Sequence, residues 1–245
     1  MGSDREREVA RAIEELARVE GVPVAVRHVC RACAEVIAAS GVALYVLGDL
    51  GLGEVVYTTD PVTCRVAELE VTLGEGPVHD ALERGLAVQA PDLTGEAMVC
   101  RWPVFAPQAS AAGVSAVFAF PLVMGMVSVG SLEVYRTIWG ALSADEVTDG
   151  LLFAEAAMRL LLDRLQGEPA AGEGDLFGEG FHPDWTVIHQ ATGMVSVHLR
   201  TDLTSAFLRL RAHAYLTDRS LSDVAHDVVT RRLGFSRDAD SGGQP

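Results

Sequence analysis

The sequence predicts an α+β protein: one antiparallel sheet flanked by helices, then a separate bundle of three helices. Three observations carry this. Between Gly41 and Arg136, short β-rich runs alternate with Gly- and Pro-containing turns, and amphipathic stretches lie on either side. A Gly-rich acidic run, G-E-P-A-A-G-E-G-D-L-F-G-E-G-F at 167–181, interrupts the pattern as a linker does. Beyond it lie three stretches of helical periodicity, each too short to be a stable helix alone, so they must bury their apolar faces against one another.

The elements follow in order. Residues 3–19 read as a helix: Ser3 with Glu6 fits a capping box, and Val9, Ile13 and Leu16 form a narrow apolar stripe. A second helix is expected over Val24–Ala39. The runs V-A-L-Y-V-L-G-D and E-V-V-Y-T-T-D, joined by a Gly-rich turn, read as a hairpin. A further strand is expected over Val66–Leu73, ending at Gly74-Glu75-Gly76-Pro77. A helix over His79–Arg84 and a strand over Ala87–Ala90 come next. S-A-V-F-A-F-P-L-V and S-V-G-S-L-E-V-Y-R form another hairpin, with Met124-Gly125-Met126 between its arms. Ser143–Gln166 is a long helix, started by a Ser143/Glu146 capping box and by acidic residues at its positive dipole end.

Past the linker, the helical spacing runs through Val187, Ala191 and Val195. It resumes through Leu203, Ala206, Phe207, Leu210 and Ala214, and again through Leu221, Val224, Ala225 and Val228. The expected organisation is thus 1–166, a linker at 167–181, a three-helix domain at 182–235 and a disordered tail at 236–245.

Two stretches resemble known families. L-G-E-G-P-V-H-D-A-L-E-R-G-L-A-V-Q-A-P-D-L (73–93), R-W-P-V-F-A-P-Q-A-S-A-A-G-V-S-A-V-F-A-F-P-L (101–122) and S-V-G-S-L-E-V-Y-R (128–136) resemble a GAF domain, a bacterial sensory fold. The resemblance implies an antiparallel sheet with a small-molecule pocket, or a domain that serves only to dimerise. Q-A-T-G-M, A-F-L-R-L-R-A-H-A and L-S-D-V-A-H-D-V-V in the three C-terminal helices resemble the ANTAR domain of transcription antiterminators. This implies binding of paired RNA hairpins in nascent leaders, with a small-molecule signal or a partner as the control. Together they imply a signal-dependent antitermination regulator.

The net charge of −15 over 245 residues works against phosphate affinity, but it is unevenly spread. Residues 1–181 hold 27 acidic and 12 basic side chains, whereas 182–235 hold five and six. In the latter, the polar side of the first helix (His189, Gln190, Thr192, Gly193, Ser196) and the arginines Arg200, Arg209 and Arg211 are the expected RNA contacts, with Arg231 and Arg232 as further candidates. Arg209 and Arg211 are two apart on a helix and point in different directions. Gly193 lets an RNA backbone approach or lets two helices pack closely. ANTAR sequences often carry Lys where this chain has Thr192, which removes one phosphate contact.

The aromatics Tyr45, Tyr57, Trp102, Phe105, Phe118 and Phe120 lie on the elements that enclose the pocket in GAF-like folds. They are either pocket walls or plain core, and strand alternation sends some each way. Cys30 and Cys33 form a C-x-x-C that reads as buried structural cysteines or as a redox pair; no second pair completes a zinc site. Cys100 beside Arg101 has no matching histidine base, and no catalytic pattern occurs, so no enzyme activity, metal or cofactor is expected. No apolar run reaches the roughly 20 residues of a membrane span, and the charged N-terminus is unlike a signal peptide, so a cytoplasmic protein is expected. Apolar stripes on 3–19 and 143–166 suggest a homodimer. The alternative to an RNA regulator is a ligand-binding or dimerising protein-interaction module without RNA binding.

Overall fold

The computed structural model describes residues 2–48, 53–166 and 183–236. The linker expected at 167–181, and the expected tail beyond Ser236, lie outside them. The chain divides into two compact units, 1–181 and 182–245.

The first unit begins with helices α1 (Gly2–Glu20) and α2 (Val26–Val36) and strands β1 (Gly41–Leu47) and β2 (Gly53–Thr58). Helices α3 (Pro61–Leu73) and α4 (Pro77–Arg84) precede β3 (Val88–Ala90), which leads into α5 (Glu96–Arg101) and α6 (Phe105–Ala111). Strands β4 (Ala116–Met124) and β5 (Val127–Arg136) and the long α7 (Ala144–Gln166) complete it. The five strands form one sheet in the order β2-β1-β5-β4-β3, every neighbouring pair antiparallel.

Two expectations are corrected here. The segment 66–73 is the second half of helix α3, not a strand. Its β-branched content suggested a strand, but the start signal outweighs propensity. The Asp60 carboxylate accepts from the N–H groups of Val62 (2.8 Å) and Thr63 (3.0 Å), Pro61 fills the first turn, and Gly74 ends the helix at φ +68°. Helices α5 and α6 were not foreseen, being only six and seven residues long and lacking a clear apolar period. The expected capping box at α7 is present: Ser143 N–H donates to Glu146 (2.7 Å), and Glu146 N–H donates to Ser143 Oγ (3.2 Å).

Helices α1, α2 and α7 cover one face of the sheet. Val42, Leu44, Phe118, Phe120, Leu132 and Val134 project into that layer and meet Val9, Ile13, Val29, Phe153 and Ala157. Helix α7 comes so near that a β-carbon on Gly150 would lie 2.3 Å from the Phe120 ring. The apolar stripe of α1 is therefore covered within the chain by α2 and α7, which removes the reason given for pairing it with a second copy. Helices α3 to α6 lie on the opposite face.

The second unit contains α8 (Pro183–Leu199), α9 (Leu203–Leu216) and α10 (Leu221–Val229). Asp202 caps α9 through Ser205 N–H (2.8 Å), and Ser220 caps α10 through Asp223 N–H (3.0 Å). Ala206, Phe207, Leu210 and Ala214 of α9 are buried, as are Leu221, Val224, Ala225 and Val228 of α10. The inward stripe of α8 runs through Trp185, Ile188, Ala191 and Val195; Val187 is only half-buried, and Leu203 of α9 is exposed.

Candidate functional site

Strand alternation gives the sheet face under α3–α6 a different lining. Tyr45 of β1 and Ser131, Glu133 and Tyr135 of β5 point to this side, opposite to Leu44, Leu132 and Val134. Ala43 and Ala119 stand directly across from Glu133 on its two neighbouring strands. Glu133 is thus flanked by methyl groups that donate no hydrogen bonds.

Helix α3 brings a second carboxylate. Glu70 and Glu133 are 3% and 2% exposed, against the usual solvated state of such residues. The Tyr45 hydroxyl, itself fully buried, donates to Glu133 Oε2 at 2.6 Å. Glu133 Oε1 has no hydrogen-bond partner among the described residues. Among the described residues Glu70 accepts only the Val78 N–H, at a long 3.3 Å to either oxygen. Neither carboxylate has an ion-pair partner among the described residues. Burial, with that one hydrogen bond from Tyr45 acting against it, pushes Glu133 up to about 7. Burial and then the field of Glu133 raise Glu70 well above the usual carboxylate range, and burial with the two glutamates does the same to the Tyr45 phenol.

The turn Gly74-Glu75-Gly76-Pro77 builds the roof of this layer. Gly76 sits at φ +142°, and a β-carbon there would fall 2.2 Å from Glu70 Oε1, so the glycine makes room for the buried carboxylate. The Glu75 carboxylate accepts from the N–H groups of Val104 and Phe105, both at 2.7 Å, and so holds the start of α6. Arg101 donates to Asp80 of α4 (2.6 Å) and lies over the Trp102 ring at 4.7 Å. Trp102 is 1% exposed and meets Phe105 edge-on at 6.2 Å, yet its Nε1–H has no acceptor among the described residues.

The expected pocket residues therefore separate. Tyr45, Trp102 and Phe105 belong to the polar side with Glu70 and Glu133. Phe118 and Phe120 are corrected to the opposite core beneath α7, and Tyr57 packs half-buried against that same core. Glu70 and Glu133 were missed. Glu133 alternates with Leu132 and Val134 as a solvent-facing residue would, and only the unforeseen helical cover turns that position inward.

Cys30 and Cys33 are fully buried in the apolar layer, and burial pushes both thiols up, which disfavours the thiolate. Cys100 is exposed. No group of three or more His, Cys, Asp or Glu among the described residues is arranged to hold a metal ion. No described helix is long and apolar enough to cross a membrane.

In the second unit, His189, Gln190 and Gly193 fall on one stripe of α8, and Arg200 follows the helix in a left-handed conformation at φ +55°, exposed. A β-carbon at Gly193 would meet nothing within 4 Å, so this glycine serves no close helix packing. Thr192 turns inward instead: it is 2% exposed and its hydroxyl donates to the Ile188 carbonyl at 2.8 Å. Ser196 is half-buried and donates to the Thr201 carbonyl (2.6 Å), tying the end of α8 to the following turn. The Arg211 guanidinium lies 5.9 Å from the Phe207 ring, and burial lowers its pKa; Arg209 is half-buried.

No protein-family model and no curated protein matches the sequence. Among solved structures, the chain is similar to the GAF domain of a Coxiella burnetii phosphoenolpyruvate-protein phosphotransferase (13% identity, TM-score 0.49, covering 65% of this chain and 96% of that one). It is also similar to the GAF domain of the Acinetobacter phosphotransferase (12%, 0.47, 67% and 95%). A third is the GAF domain region of a membrane protein from Geobacter sulfurreducens (11%, 0.46, 66% and 97%).

Proposed function

We propose that the chain is a signal-dependent regulator whose first unit senses a small molecule and whose second unit binds hairpin RNA in nascent leaders, favouring antitermination. The observation that carries the sensory half is that two of the three buried polar atoms without a partner among the described residues, Glu133 Oε1 and the Trp102 indole N–H, lie on this side of the sheet, the third being Arg136 Nε on the other. An unpartnered buried polar atom costs about 1–3 kcal/mol, and a bound molecule is the economical way to satisfy several at once. The GAF resemblance of 73–93, 101–122 and 128–136 supports the same reading. The stripe of His189, Gln190 and Gly193 on α8, with open space over Gly193 and the exposed Arg200 just past the helix end, supports the RNA half. Thr192 and Ser196 are spent inside the fold and drop out of the contact set.

One observation favours a second reading, a protein-docking output. Leu208, Tyr215 and Leu216 on α9 are at least half exposed, and an apolar helix face suits a protein better than a phosphate backbone. A mobility-shift titration of the full chain separates the two. An RNA with two adjacent hairpins is expected to bind at low salt and to lose affinity steeply as salt rises. The double variant His189→Ala/Gln190→Ala is expected to bind about tenfold more weakly, at roughly 1.4 kcal/mol of lost contact, whereas Thr192→Ser keeps full affinity. Absence of binding to any such RNA at low salt rejects the RNA output and leaves the docking reading.

A further inference from the structure

We propose that the buried Glu70–Glu133 pair is a receptor for a small organic cation that carries several N–H donors, of the ammonium, guanidinium or amidinium class. The inference rests on the ligand-binding reading above and names the ligand's chemistry. Three observations point to it. The first is a deficit of donors. Four carboxylate oxygens receive one strong hydrogen bond, from Tyr45, and one long one shared by both oxygens of Glu70, from the Val78 N–H. A ligand rich in acceptors, such as a phosphate or carboxylate, deepens that deficit; a ligand rich in N–H donors removes it.

The second is a deficit of positive charge. The nearby Arg101 is already committed to Asp80. Arg136, three residues beyond Glu133 and so on the other face of β5, engages Ile37 and Glu146 on the α2/α7 side. No cation among the described residues pairs with either glutamate, so a ligand cation would supply the charge that otherwise only a bound proton offsets. The third is an open acceptor. Glu133 Oε1 is buried without a hydrogen-bond partner among the described residues, and its neighbours across the sheet, Ala43 and Ala119, offer no side-chain donor.

The test uses the full chain at pH 8. Thermal melts are recorded with millimolar methylguanidinium chloride and methylammonium chloride, and with methylurea and sodium acetate as neutral and anionic controls at matched ionic strength. In parallel, the chain is purified without denaturant, and any small molecule released on unfolding is identified by mass spectrometry. At least one cation is expected to raise Tm while both controls leave it unchanged, and any released molecule is expected to be cationic at pH 8. Glu133→Gln and Glu70→Gln each keep the side-chain shape and remove the charge. Each is expected to weaken the cation at least tenfold while melting no lower than the parent without it, so a loss of binding cannot be a loss of folding. A neutral or anionic molecule that binds the parent and Glu133→Gln equally overturns the cation assignment and leaves the ligand-binding reading standing. A chain that releases nothing and responds to none of the four probes overturns both.

Discussion

The two faces of the sheet are made from alternate residues of the same strands, yet they bury opposite chemistry. Leu44, Phe118, Phe120, Leu132 and Val134 meet α1, α2 and α7 in a layer dominated by large apolar side chains, interlocked down to the close approach of Gly150 and Phe120. One residue along each strand, Ala43, Tyr45, Ala119, Ser131 and Glu133 meet α3–α6 with small side chains, two buried carboxylates and orphaned polar atoms. A core built only for stability has no use for the second arrangement, since each unpaired buried group works against folding. The difference teaches that this molecule keeps its large apolar packing on one side of the sheet and buried, under-partnered carboxylates on the other, where ligand binding is proposed.

The largest effect expected from this contrast lies in the apolar layer. Phe120→Ala should cost about 3–5 kcal/mol, because it removes a fully buried ring whose neighbours on α7 cannot close the gap. Urea unfolding of the full chain reads this directly; a loss below about 1 kcal/mol breaks the comparison.

Next comes Gly76→Ala. It forces a side chain into a left-handed backbone position and against Glu70, at a cost of about 1–3 kcal/mol. The same change in a Glu70→Ala background should cost measurably less, since the clash is gone and only the backbone strain remains. Equal costs in the two backgrounds would mean that Glu70 does not occupy that space.

On the polar face a substitution should stabilise. Glu133→Gln keeps an acceptor for Tyr45 and removes a charge that burial opposes, so the ligand-free chain should gain about 1–2 kcal/mol at pH 8. At pH 4.5 the gain should vanish. The sign follows from Glu133 itself. Its folded-state pKa, about 7, lies above the ordinary carboxylate value of 4.5, so its contribution is fully present below 4.5 and is lost as pH rises through 7. Denaturant melts of parent and variant between pH 4 and 8 check this, and parallel curves would contradict it.

The smallest effect belongs to the apolar side and has the opposite sign. Glu20, at the end of α1, is held down to about 2 by the His28 and Arg27 side chains, with Nε2 of His28 at 2.9 Å and Nε of Arg27 at 3.1 Å. Its contribution is present above 4.5 and is lost as pH falls through 2. Glu20→Gln should therefore flatten the acid limb of the stability profile in the same denaturant melts.

Much of this architecture was legible in the residues alone, wherever a local signal decided the outcome. The capping box at Ser143 started α7, the turn residues bounded both hairpins, and the spacing of Leu210, Ala214, Val224 and Val228 marked their burial, because caps, turns and periodicity act within a few residues. Tertiary structure decided the rest. Val66 to Leu73 read as a strand until Asp60 and Pro61 committed the whole segment to α3. Phe118 and Tyr45 looked alike as pocket walls, and only the register of β4 and β1 against their covering helices sent one into the core and the other beside Glu133. Glu133 itself alternates as an outward residue would. Whether an alternating polar position meets water or a helix depends on what packs above the sheet, and in this protein that cover is α3 to α6, whose contacts with Glu133 lie far away along the chain.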